Sequence, residues 1–206
     1  MAKVKIFNQE QEDRIDSLKT RGDFLNAELI ARNMSSTVPF NSDKSFTETY
    51  NNLKNNPQYI RQLNKLKTTL NVEMKTRQPY LNAFTTKDSL WWKDEIQTIN
   101  TKIKMEQDSF QVEMYRRIKA FWGIACYSLG NQAINSHNAE MLNKIVPVYY
   151  MLEPENPYVY YFSAFPYYWN GNTDETIVML KKARQEGFTE MSRLRNDFPE
   201  SIFLKL

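Results

Sequence analysis

The chain of 206 residues has one cysteine, one histidine and only five glycines, and each scarcity closes off a class of structure. Cys126 alone cannot form an internal disulfide, and with the lone His137 it cannot supply the cysteine and histidine cluster of a zinc site. Eight prolines and five glycines, scattered singly, are too few for a turn-rich all-β chain and make no low-complexity linker. The longest apolar runs fall well short of the ~20 residues of a membrane helix, so no transmembrane segment is expected. Met1 to Phe7 lacks the apolar core and cleavage site of a signal peptide. That predicts a cytoplasmic protein if Met1 is the native start, and an exported one if a leader has been removed.

No glycine-rich phosphate loop, nucleophile elbow or metal-ligand cluster is visible, and carboxylates such as Asp94 and Glu113 stand among ordinary surface charges. The sequence therefore predicts a non-catalytic protein with no cofactor and no metal. Cys126, inside the apolar run from Trp122 to Tyr127, reads as a packed thiol. His137, between Ser136 and Asn138, reads as a loop residue before a helix. Net charge is +3, but residues 54–119 hold 13 basic against 7 acidic residues, and the remainder is net acidic. Basic and acidic residues alternate in that middle, as on a solvated helix face.

What the chain does have is helical periodicity. Ile15 and Leu18 mark a helix over 9–20, Arg21-Gly22-Asp23 a turn, and Phe24, Ala27, Ala31 and Met34 the buried stripe of a second helix. Residues 35–45, polar and with Pro39, read as a connector and the best candidate domain boundary, dividing 1–45 from 46–206, although one continuous domain is also compatible. Phe46 to Lys54 predicts a short helix. Tyr59, Ile60, Leu63, Leu66, Leu70 and Met74 predict another, ending before Pro79 and followed by a loop over 80–87. A long helical stretch over 90–129, capped by Asp88 or Ser89, should break near 105–109, where Asp108 to Gln111 resembles a capping box. A polar loop over 130–137, a helix over 138–152 kinked at Pro147, and a turn over 153–157 follow.

Twelve consecutive positions then hold eight aromatic rings, Tyr158 to Trp169. As one helix they divide between a face with Tyr160, Ala164 and Tyr167 and a face with Tyr158, Tyr161, Phe165, Tyr168 and Trp169. Asn172-Thr173 caps a partner helix over 174–186 with Ile177, Leu180 and Ala183 inward, Gly187 stops it, and Met191, Leu194, Phe198, Ile202 and Phe203 form an apolar tail.

From Pro157 the order Tyr160, Ala164, Tyr167, Gly171, Leu180, Ala183 resembles the tetratricopeptide repeat, with Ser163, Thr176 and Phe188 departing from its usual leucine, alanine and proline. A weaker copy over 116–156 carries Gly123 and Gly130 seven apart, with Lys119 where the first aromatic is usual. A fragment over 11–34 matches half a unit, and nothing between resembles one. The resemblance implies an all-α fold of antiparallel helical hairpins stacked as a short α-solenoid with one long central helical stretch, and a protein or peptide held on the concave side. It places Tyr158, Tyr161, Phe165, Tyr168 and Trp169 toward the groove, with Arg117, Ala120, Ile124 and Tyr127 from the preceding unit, and puts Tyr160 and Tyr167 in the core. Of these, Tyr158, Tyr161, Phe165, Tyr168, Trp169 and Tyr127 are the candidate partner-binding residues.

Three alternatives stay open. The tail could lie across the aromatic face and cap the stack. The rings could stack on sugars, making a carbohydrate-binding protein of the cell envelope, with Trp91-Trp92 as a second edge. The basic middle, with Arg61, Lys65, Lys67, Lys75 and Arg77 on one helix, could hold RNA or another polyanion, although no nucleic-acid motif accompanies it.

Overall fold

The computed structural model describes residues 2–37 and 44–206, so the middle of the connector at 35–45 lies outside the described residues. Of the described residues 84% are helical, and none of them forms a strand. The helices are α1 (Ala2–Thr20), α2 (Phe24–Ser36), α3 (Lys44–Lys54), α4 (Pro57–Thr86), α5 (Ser89–Met105), α6 (Ser109–Asn135), α7 (Ala139–Leu152), α8 (Pro157–Trp169), α9 (Thr173–Gln185), α10 (Met191–Asp197) and α11 (Glu200–Phe203). None is long and apolar enough to cross a membrane. The chain divides into two compact units, Met1–Asn71 and Val72–Leu206. The division falls inside α4 and not at the connector, because α3 packs on α2 and shares its core.

The first unit buries the expected stripe of α2, Phe24, Ala27, Ala31 and Met34, with Ile15 of α1 and Phe46 and Leu53 of α3. Asp23 caps α2 through Asn26 N. Gln62 completes the turn before it: its Oε1 accepts from the backbone N–H of Phe24 at 3.1 Å and of Leu25 at 3.3 Å, and its Nε2 donates to Gly22 O at 2.6 Å. Orphan donors at a helix start are thus satisfied from another helix.

In the second unit α6 pairs with α7 and α8 with α9, while α5 lies against both α6 and α7. The expected break between α5 and α6 is present, with Asp88 and Asp108 as N-caps. Two expected loops are helix instead. Pro79 does not end α4; its ring is exposed, so water can satisfy the carbonyl it leaves free, while Ala83 and Phe84 bury against Trp92 and hold the helix on course. Gly130 does not end α6; it is buried beneath the Phe162 ring, and packing outweighs the ~1 kcal/mol that glycine costs a helix. The turn comes later, at His137, which takes a φ of 53°. Pro147 lies within α7 without ending it. On α4, Ile60, Leu70 and Met74 are exposed where the periodicity predicts burial.

Trp92 is buried and Trp91 stands against it edge-on, 5.1 Å between ring centres, with Lys87 over its outer side. Glu73 is buried as well. Arg117 donates from Nε to its carboxylate at 2.7 Å and Arg77 from Nη2 at 2.8 Å. Burial opposes the charged form, but these hydrogen bonds outweigh it and hold the Glu73 carboxyl below the usual carboxylate range.

Candidate binding surface

α8 begins at Asn156, whose side chain accepts from Tyr158 N, and Pro157 fits the first helical position where no N–H is needed. With eight rings in its twelve following positions the helix is apolar nearly all round, and such a helix is buried on most sides. Fully burying one such side chain contributes about 2 to 3 kcal/mol.

The tail is what buries the predicted groove face. Tyr161 is 0% exposed, its ring stacked 4.8 Å from Phe188 at 18°. Phe165 is 3% exposed against Phe198, and Tyr168 is half-buried on the same ring at 5.2 Å. Tyr161 and Phe165 are therefore core residues and not open groove residues, because residues 188–202 cover them. Tyr160 is buried as expected, but Tyr167, expected in the core, is 39% exposed. Trp169 is half-buried and offers one face to His137, stacked at 4.6 Å.

A polar clamp fixes the tail, and the sequence reading missed it. Arg193 donates from Nε to the Tyr161 hydroxyl at 2.9 Å, lies 4.7 Å over the same ring, and bonds Asn131 Oδ1 through Nη2. The Tyr161 hydroxyl in turn donates to Asp197, and the Tyr158 hydroxyl to Glu190. Burial first, and then the carboxylate acceptors, push both phenols far above their ordinary range, so both keep their protons and donate. The available signal was the spacing of Glu190, Arg193 and Asp197, which puts three charges on one side of a short segment beside an aromatic helix.

Among the described residues the α6 part of the predicted face has no such cover. Ala120 and Ile124 are exposed, Ile124 at 67%, and Tyr127 is 36% exposed. Arg117 turns partly inward to Glu73. Tyr127 meets Tyr158 edge to face at 4.8 Å, so these two candidate residues are brought together at the border between the bare α6 line and the covered α8 face. The inner side of the same helix is closed: Trp122 and Cys126 are both 0% exposed, and burial followed by the charge of Glu153 pushes the Cys126 thiol far up. Among the described residues no group of three metal-ligating side chains occurs.

Compared with known proteins, the chain matches no family model, no curated protein and no solved structure.

Proposed function

We propose that the second unit is a non-catalytic helical-repeat module of the tetratricopeptide kind, stacked as a short solenoid, which binds a protein or peptide along the outward line of α6. The reading is supported by the succession of hairpins, α6 with α7 and α8 with α9, and by contact of α6 with α8 across them. The observation that carries it is Ile124, bare beside the Tyr127 and Tyr158 pair on a helix whose other side buries Ile118, Trp122 and Cys126. A branched apolar side chain and an aromatic anchor set side by side are the residue types that concentrate interface energy. The glycan reading has less to rest on, since Tyr161 is covered and one Trp169 face is taken by His137.

A photo-crosslinking residue placed at 124 in the full chain tests the reading, with a second one at Val178, an exposed position on α9. The expected outcome is a discrete crosslinked partner from 124 and none from 178, lost on Tyr127→Ala. Equal labelling from both positions would sink the proposal.

A further inference from the structure

Next to this line, α5, the middle of α6 and the end of α7 enclose two adjoining hollows of about 510 and 410 Å³, which share Asn100 and Lys104. Together they make one trough. Its floor is apolar, with Ile96 and Leu152 buried and Ile103 and Met151 half-buried beside them. Its edge is cationic: Lys93, Lys104 and Arg116 are exposed and Lys119 is half-buried.

These charges are mostly uncompensated. Lys119 donates to the neutral Asn100 Oδ1 at 2.9 Å, and Arg116 has only the exposed Glu113 at 3.7 Å. Among the described residues neither Lys93, Lys104 nor Lys119 forms an ion pair. Glu153 is the one carboxylate lining the trough, set against four cations; it accepts from Asn156 Nδ2 at 2.6 Å and lies in the notch left by Gly123.

The spacing indicates the shape of the ligand. Lys93, Gln97, Asn100 and Lys104 follow one face of α5 at helical spacing, which sets the two lysines ~16 Å apart along the axis. One phosphate group cannot reach both ends. A single strand of nucleic acid would want rings to stack on, and no aromatic residue lines the trough. An extended peptide of about five or six residues spans that length and alternates its side chains between the apolar floor and the cationic edge.

We infer that the trough holds an acidic, extended segment of a partner polypeptide, its carboxylates against Lys93, Lys104, Arg116 and Lys119 and its apolar side chains over Ile96, Ile103 and Met151. This rests on the binding-module reading and gives the partner its chemistry. Ala120 lines the trough and begins the α6 line that leads on to Ile124, so one partner can occupy both.

The test titrates the full chain against a fluorescein-labelled peptide of alternating glutamate and valine, with an alternating lysine and valine peptide and a labelled oligouridine of equal length beside it. The acidic peptide is expected to saturate, to weaken with added salt, and to weaken about tenfold more in the Lys104→Glu/Lys119→Glu double variant. Helical circular dichroism should not change in that variant, since both side chains lie at the edge. Equal binding of the lysine peptide, tighter binding of the oligouridine, or unaltered affinity in the double variant would each overturn the inference. The crosslink at 124 separates the two proposals. If it survives the double variant while the acidic peptide never binds, the module reading stands and the trough falls; if the acidic peptide binds through Lys104 and Lys119 but 124 captures nothing, the reverse holds.

Discussion

α6 and α8 each open a hairpin and each carry large apolar side chains on the side away from their partner helix, yet one face is bare and the other is covered. Ile124 is 67% exposed, whereas Tyr161 and Phe165 are sealed under Phe188 and Phe198. The difference does not lie in local composition alone. α8 is followed by a segment carrying apolar residues and a guanidinium placed to bond Tyr161 and Asn131; among the described residues nothing comparable is laid over Ile124. In a stack of hairpins, whether an aromatic face becomes core or surface is decided by what folds over it.

The comparison breaks most easily from the α8 side. Tyr161→Ala should cost about 4 kcal/mol, since it removes a fully buried ring and the hydroxyl that links Arg193 to Asp197, whereas Tyr127→Ala should cost less than about 1 kcal/mol; urea unfolding of both reads the contrast. A similar cost from the two would erase the distinction between the faces. Next is the inner anchor of α6. Glu73→Gln should lose about 3 kcal/mol by removing the buried charge that Arg117 and Arg77 share, leaving Arg117 only the exposed Glu113 at 3.9 Å. Because the folded Glu73 carboxyl lies below the usual range, its contribution is fully present above pH ~4.3 and is lost as pH falls through the lowered value; thermal melts from neutral to acid should show a drop that the variant flattens.

Gly130 and Gly123 sharpen the comparison further. A Cβ at Gly130 would lie 2.5 Å from the Phe162 ring, which is wedged among Tyr127, Tyr149, Tyr158 and Tyr161 and cannot yield. At Gly123 it would meet only the end of the Glu153 side chain, which can swing away. Gly130→Ala should therefore destabilise by about 2 kcal/mol and Gly123→Ala by under about 0.5 kcal/mol, again by urea unfolding. The smallest effect is expected at the bare face: Ile124→Glu should change stability by less than about 0.5 kcal/mol while abolishing capture of the partner by a photo-crosslinking residue moved to the exposed position 120.

The helices were largely legible because their ends are written locally. Asp88, Asp108, Asn138 and Asn172 each cap a helix through their own side chains, and Gly187 takes the left-handed conformation that ends α9. Where long-range packing overrode a local stop the reading failed: Pro79 is passed over because Ala83 and Phe84 beyond it bury against Trp92, and Gly130 because it fits beneath the Phe162 ring. The site was less legible still. Periodicity separates the Tyr160 face of α8 from the Tyr161 face, but not which of them the tail will cover, and it exchanged Tyr161 with Tyr167. The clamp joins residues 131, 161 and 193, and no local pattern reports a contact across that separation.

The stacking of His137 on Trp169 gives the molecule a spectroscopic reporter. The chain has no other histidine, so the imidazole C–H protons form a single set in a proton NMR spectrum, identified without assignment. Held 4.6 Å from the indole, they feel its ring current. Any partner that lifts the end of α8 away from the turn after α6 will move those signals, and one that docks on α5 and α6 without doing so will leave them still.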